Sequence, residues 1–534
     1  MHKLVLFYFL VFVGYTSCTL SEKGSPPVPP FLTSNGNQTP TYEEGMQFWT
    51  DFAKFYQEVD LQEIGTTDAG LPLHVVIIDL DRPRKVEGYE LRQKQLLLIN
   101  NAIHPGEPDG VDASMLMASE LLEDSNFHKR MKNTVVVIIP FYNIGGTLNR
   151  NTNSRANQNG PEEYGFRGNA QNLDLNRDFI KMDSKNARSF AELITLIDPD
   201  LYIETHVSNG ADYTYVMTYL TTQEDKMGGR LKDSLRKSYT PFLIKEMGKR
   251  GYPMSPYVNV HGTSPEEGFA TFYDQPRYST GFLALKQIPG YITETHMLKP
   301  YKERVLATKA FLETGIRLMN RSDVASVKKI DRESVQKQDS FALDWALDES
   351  SVQAFHFAGY HAEYKPSEVT GEMRLWYNKE KLIENKISYY PNLKPTKWAA
   401  SPSYYVLKRG FVDVEDRLKS NGVEMTEFQR DTTILLIIFK VDTFSTSSKP
   451  YEKHYVHSKS RFTLSKKEIL IHKGDYLIPA NNVNKRFLLE VLHPEAPDSY
   501  FNWNFFDAIL QQKEWYSDYV FEDEAAERLR SDED

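Results

Sequence analysis

The stretch Gln95-Leu96-Leu97-Leu98-Ile99-Asn100-Asn101-Ala102-Ile103-His104-Pro105-Gly106-Glu107 carries an apolar run into a turn that bears a histidine and, three positions on, a glutamate. Gln95 to Ile99 reads as a buried strand. Pro105 and Gly106 mark the turn, and a helical pattern starts near Val111. His104 and Glu107 therefore sit on a short loop at the carboxyl end of a strand, where open α/β sheets place their ligand sites. An imidazole and a carboxylate on a turn that bends back can reach one metal ion. Zinc accepts this ligand mix and keeps an open position when only three protein groups bind it. His-x-x-Glu alone is weak in a chain with 13 histidines. The third ligand comes from Asp200-Leu201-Tyr202-Ile203-Glu204-Thr205-His206, a second strand-like run that ends on a histidine, 99 residues after Glu107.

Working outward, strands alternate with helices over the first 320 residues. Apolar runs of strand length fall at His74–Leu80, Thr134–Pro140, Leu201–Thr205 and Tyr291–Glu294. Helical patterns fall at Tyr42–Val59, Val111–Glu123, Ala187–Ile197, Arg230–Tyr239, Phe242–Arg250 and Lys302–Met319, with Pro241 dividing the two basic ones. This alternation predicts a mixed, mostly parallel sheet flanked by helices. Asn143–Asn172 is long, polar and Gly-rich, the profile of a functional loop. After about Arg321 the texture changes to charged sequence and then to alternating runs, Ala354–Tyr364, Glu372–Tyr377, Thr433–Val441 and Arg461–Ile478. These predict a β-rich accessory region, in the style of a sandwich, with a helix at Asp413–Gly422 and an acidic helical tail from Glu522.

The chain has 534 residues, 40% of them hydrophobic and 25% charged, and a net charge of -10. That length suits two to four domains at about 150 residues each. The acidic balance and the lack of a basic block argue against nucleic-acid binding. His2-Lys3, ten apolar residues from Leu4 to Val13, and then Gly14-Tyr15-Thr16-Ser17-Cys18 have the layout of an export signal. Cys18 is the only cysteine, so no internal disulfide is expected. Its place just after the apolar core resembles a bacterial lipoprotein cleavage site, which leaves two outcomes open: a lipid anchor on Cys18, or release as a secreted or periplasmic protein. The expected organisation is a signal over residues 1–18, a Ser/Pro-rich linker over 19–40, a catalytic domain over 41–320 and the β-rich region over 321–534. No prosegment is evident between the leader and the catalytic domain.

Further polar groups then fall in order: Arg167, the run Asp174-Leu175-Asn176-Arg177, and Glu294 in Thr293-Glu294-Thr295. Together with His104-x-x-Glu107 and His206, this series resembles the funnelin-type zinc carboxypeptidases over roughly residues 40–320. The resemblance implies one catalytic zinc per chain, held by His104, Glu107 and His206. It implies Glu294 as the general base acting on a zinc-bound water, and Arg167 as the group that stabilises the oxyanion. Asn176 and Arg177 would hold the terminal carboxylate of a peptide substrate, since an arginine fork matches a carboxylate with two parallel hydrogen bonds. A cleft tyrosine is implied as well. Tyr273 and Tyr278 both lie in the corresponding segment, and Tyr278 is favoured. Arg277 beside it is a further candidate for substrate contact, and His296 either supports the base or fills space. The residue that sets side-chain preference has no motif; Asp274 and Lys286 lie near the region.

Plainer readings compete for each residue taken alone. His206 could be a satisfied polar group, Glu107 a helix cap, Arg167 a surface charge, Glu294 a solvated strand end. Asn176-Arg177 could be structural, paired with Asp174 or Asp178. Among functions, an exported carboxypeptidase acting on peptide C-termini competes with a zinc amidase or deacylase acting on cell-wall peptides or N-acyl amino acids, and with a binding protein that kept the fold.

Overall fold

The structure is a computed structural model that describes residues 24–532 apart from Arg84 and Arg92. The leader and Cys18 lie outside the described residues. A capping box starts helix α1 (Tyr42–Phe55): the Thr41 hydroxyl accepts from the Glu44 amide and the Glu44 carboxylate accepts from the Thr41 amide. The helix stops at Phe55, earlier than its apolar pattern suggests, because Tyr56 turns extended and Val59 opens a strand that the sequence did not announce.

Eight strands form the central sheet: β1 (Val59–Thr66), β2 (Pro72–Ile78), β3 (Gln95–Asn100), β4 (Thr134–Ile139), β5 (Leu201–Ser208), β6 (Met217–Thr221), β7 (Met254–Pro256) and β8 (Gly290–His296). They lie in the order β1-β2-β4-β3-β5-β8-β6-β7. The inner strands β4, β3, β5 and β8 are mutually parallel, and antiparallel pairs lie on either side of them. The mixed sheet expected from the alternation is thus present. Every residue of β3, β4 and β5 is buried, which fits strands covered on both faces. One face packs on α1, α2 (Asp109–Glu123) and α4 (Tyr301–Arg321), and the other on α3 (Lys185–Ile197).

Several local expectations shift. The two basic helices are one continuous body: Gly229–Ser234 runs through a π turn, Leu235–Tyr239, into Thr240–Lys249, with Pro241 in the first turn of the last piece. The wide turn accommodates a residue that has no amide to donate. Phe31, in the stretch read as a linker, is buried 6.0 Å from the Tyr301 ring.

Beyond α4 the chain is β-rich, as its texture implied, but it does not build two facing sheets. It forms small separate ones. Ser340–Leu347 pairs with Leu393–Ala400. The long hairpin β9 (Gln353–Pro366) and β10 (Met373–Tyr390) joins the short strand Phe269–Ala270 of the catalytic half. A second hairpin, β11 (Thr432–Thr446) with β12 (His457–Ile471), stands as a two-stranded ribbon. Helices Val324–Lys337, Val412–Ser420 and Lys485–Leu492 interrupt the strands. The second and third of these, with Trp503 and Tyr500, complete the core on the α3 side of the sheet, so the accessory region is fused to the back of the catalytic half. The acidic tail forms the helix Asp518–Ser531, in which no residue is buried.

Candidate metal centre and active-site cleft

Strand β3 ends at Asn100, and Ala102 takes a left-handed φ of 56° that swings the chain into the loop carrying His104. The Glu107 amide donates to the His104 carbonyl at 2.8 Å, and this turn brings the two side chains to one point. The loop is pinned from behind: Asn101 Nδ2 donates to Ser114 at 2.9 Å, and Thr205 donates to Asn101 Oδ1 at 3.0 Å. A Cβ at Gly110 would overlap Thr205 Oγ1 and Asn101 Oδ1, so glycine is what lets α2 start against β5.

His206 enters from β5. Its Nδ1 lies 3.2 Å from His104 Nδ1 and 3.0 Å from Glu107 Oε2, and the third side of the triangle, His104 Nδ1 to Glu107 Oε2, is 3.3 Å. Three ligand atoms about 2.1 Å from a tetrahedral zinc would stand roughly 3.4 Å apart. All three residues are buried, and this is the one such grouping found among the described residues. Each imidazole is also committed on its far nitrogen. His104 Nε2 lies 3.0 Å from Asp174 Oδ1, and His206 Nε2 lies 3.0 Å from Glu204 Oε2. A carboxylate on Nε2 fixes the proton there and leaves the Nδ1 lone pair free for a metal. The donor set therefore fits zinc.

Glu294 reaches the same point from β8, where it pairs in parallel register with His206. Burial pushes its carboxyl up to about 7, with Glu107 adding to the shift and His206 and the nearby arginines opposing it. Burial also acts to raise Glu107, but Arg155 and His104 outweigh it and hold that carboxyl well below its usual range. Arg167 Nε donates to Asp174 Oδ2 at 3.0 Å and its Nη1 is 3.5 Å from Glu107. Its side chain is 44% exposed at the mouth of the cleft. Asn176 is buried with Oδ1 unbonded, and the Arg177 guanidinium stacks 4.6 Å over the Tyr278 ring.

The three candidate ligands, Glu294, Arg167, Asn176, Arg177 and the favoured Tyr278 all line one cleft, with about 870 Å³ of free space counting its open mouth. Of the two tyrosines, Tyr278 faces it. Tyr273 is turned away and donates to Asp344 at 3.3 Å. Arg277 does not reach the cleft either: its guanidinium is bound to Asp498 of the accessory region, with Nη2 2.7 Å from Oδ1. His296 fills space. It is buried, hydrogen-bonded to the Ala211 carbonyl at 2.7 Å and packed edge-on to Tyr213. Lys286 is buried over Phe282 and Phe487 and donates to the Asn421 carbonyl at 3.2 Å, whereas Asp274 lines the cleft. Asp178 is absorbed by Lys181 and Ser184, so it is not the partner of Arg177.

Sequence reasoning missed three groups. Arg155 Nη1 donates to Glu107 Oε1 at 2.7 Å and its Nη2 to the Val207 carbonyl at 3.0 Å. It sits in the polar loop with no spacing to mark it. Tyr257 lines the cleft from a short loop after β7. Glu204 was legible in principle: residues two apart on a strand share a face, so a glutamate two before a ligand histidine is placed to buttress it. The accessory region adds a further support, because Glu452 Oε2 accepts from the Asp174 amide at 2.8 Å.

Residues 46–265 match a family model described as zinc carboxypeptidase, Peptidase M14. The matched span includes the three candidate ligands and stops before Glu294. No curated protein matches the sequence at a significant level. Among solved structures, a metallo-carboxypeptidase from Burkholderia cenocepacia aligns at 15% identity and a TM-score of 0.40, over 52% of this chain and 68% of that one. Carboxypeptidase A from Helicoverpa armigera aligns at 13% and 0.39, over 54% and 75%. A Pseudomonas aeruginosa metallo-carboxypeptidase, solved in complex with (2-guanidinoethylmercapto)succinic acid, aligns at 14% and 0.39, over 52% and 69%. The similarity to the zinc carboxypeptidase family is thus carried by residues 46–265, the span that holds His104, Glu107 and His206.

Proposed function

We propose that this protein is an exported carboxypeptidase that removes the last residue of peptides, with Glu294 as general base. The observation that carries this reading is the convergence in one cleft of the His104–Glu107–His206 triangle, Glu294 one strand away, and the Asn176–Arg177 pair. A bound zinc would supply Lewis acidity, polarising the scissile carbonyl and acidifying water.

The chain's own residues do the rest. Asp174 and Glu204 hold the two imidazoles in the tautomer that presents Nδ1. Arg177, oriented by its stack on Tyr278, pairs with the substrate carboxylate, and the unbonded Asn176 Oδ1 stands beside it to accept a backbone N–H. That anchor positions the last peptide bond rather than an internal one. Glu294 takes a proton from the attacking water and passes it to the departing amine. Arg167, at the mouth, supplies positive charge to the oxyanion. Support for export is the leader-like N-terminus alone, with lipid on Cys18 as its membrane-bound form.

The test is a matched pair of peptides, one ending in a free carboxylate and one in an amide. Only the free acid should be cleaved at its last bond. Equal cleavage of both would remove the role given to Arg177.

A further inference from the structure

A second cavity opens at the seam between the catalytic half and the accessory region, with about 560 Å³ of free space counting its mouth. The loop 227–229 forms one wall and the helix Val324–Lys337 another. Phe341, Trp345 and Trp398 form the third, from the paired strands Ser340–Leu347 and Leu393–Ala400. No residue of this lining belongs to the lining of the catalytic cleft.

Three side chains of the lining carry buried polar atoms that are left unmatched. Arg486 is 6% exposed; its Nη1 donates to the Lys226 carbonyl at 2.8 Å, but neither Nε nor Nη2 completes a hydrogen bond. The Trp345 indole N–H has no acceptor, and the buried Gln287 leaves Oε1 without a donor. Such groups are costly unless something arrives to pair with them. The carboxylates nearby do not answer. Glu490 stands 3.8 Å from Arg486 Nη2, beyond hydrogen-bonding reach. Asp331 accepts from the Arg230 and Leu231 amides at 3.0 and 2.7 Å, and Asp225 from Lys232 and the Leu393 amide at 2.8 and 3.0 Å.

We infer that this cavity is a second ligand site, which binds the α-carboxylate end of an apolar amino acid. Nε and Nη2 form the edge of a guanidinium that meets a carboxylate with two parallel hydrogen bonds, and the Trp345 N–H adds a third donor. Gln287 Oε1 accepts from the N–H next to that carboxylate. The rings of Phe341, Trp345 and Trp398 flank the apolar side chain, the mix of aromatic wall and few polar groups that small-molecule sites use. A free amino acid and the last residue of a peptide share this chemistry. The site stands independently of the carboxypeptidase reading, since no residue of the catalytic cleft takes part.

The experiment is an equilibrium titration of the zinc-loaded full chain carrying Arg177→Ala, which removes the carboxylate anchor of the catalytic cleft. The probes are L-phenylalanine, N-acetyl-L-phenylalanine and L-phenylalaninamide. At least one of the two acids should bind, and the amide should bind roughly tenfold more weakly or worse. Arg486→Gln should weaken the bound acid roughly 10- to 100-fold, the range that one hydrogen bond to a charged group provides. Trp398 is 58% exposed, so Trp398→Ala spares the fold and should still weaken binding roughly 3- to 10-fold. Tighter binding of phenylalanine makes the occupant a free amino acid, and tighter binding of its acetyl form makes it a peptide end. No binding of either acid at about 10 mM, an amide bound as well as the acids, or an affinity unmoved by both variants overturns the inference.

Discussion

Strand β4 reads Thr-Val-Val-Val-Ile-Ile and is buried at all six positions. Strand β11 reads Thr-Thr-Ile-Leu-Leu-Ile-Ile-Phe over its first eight residues, and none of them is buried. The two are equally rich in β-branched and apolar side chains. Their neighbours differ. β4 has a strand on each edge and helices on both faces, whereas β11 has one partner, β12, and Leu435 and Ile437 on one face are 62% and 57% exposed. Strand composition therefore predicts the strand and not its burial, because burial belongs to the layers that cover it. The chemistry sits where coverage is complete: His206 and Glu294 stand on fully paired inner strands, and His104 and Glu107 on the loop that leaves a third.

This contrast orders what substitutions should do. His206→Ala, on an inner strand, should abolish zinc retention and bring peptide hydrolysis to background, read by metal analysis beside an activity assay. Glu294→Gln should keep the metal and lose about 10²- to 10⁴-fold in kcat/KM; a fully active variant would detach β8 from catalysis.

Among structural changes, Ile138→Ala in β4 should cost about 3 kcal/mol in denaturant unfolding, through lost burial and a cavity. Lys286, at the junction with the accessory region, gives a pH signature. Burial, its largest cause, lowers this ammonium from 10.5 to about 7, with Arg332 adding to the shift. The folded state thus holds Lys286 neutral above about 7 while the unfolded chain keeps it charged up to about 10. The stability associated with this group is present at high pH, falls as pH drops from about 10 to 7, and is constant below that. Lys286→Met should flatten that slope, so the variant gains on the wild type as pH falls to 7, measured by unfolding at several pH values. Leu435→Ala, on the open face of β11, should move stability by no more than about 0.5 kcal/mol. A loss comparable to that of Ile138→Ala would mean that this face is covered in solution.

How much was readable follows the same division. The ligands and the base were legible because strand ends and turns advertise them: an apolar run stops and a histidine or glutamate follows. Asn176 and Arg177 were legible from the compact run that Asp174 begins, and Asp174 proved to be the brace of His104. Arg155 was not, since a long loop places its side chains by contacts such as those to Gln158 and the Val207 carbonyl, which no period encodes. Arg277 was misjudged as a candidate for the cleft, and Tyr273 stood as the alternative to the favoured Tyr278, because their partners, Asp498 and Asp344, lie more than 70 residues away in the accessory region. The sandwich expectation failed for a related reason. Alternation marks a half-exposed strand but leaves open whether the half-buried face meets another sheet, a helix, or the back of a different domain.

The in-register pairing of Glu294 with His206 has one more consequence. Adjacent strands keep a spacing of about 4.8 Å because backbone hydrogen bonds hold it, so the distance between proton acceptor and metal ligand is a property of the main chain. Insertions in the surrounding loops can reshape what enters the cleft and leave that interval untouched. A slip of one residue between β5 and β8, by contrast, would turn one of the two side chains to the opposite face, disarming the centre without changing a single amino acid.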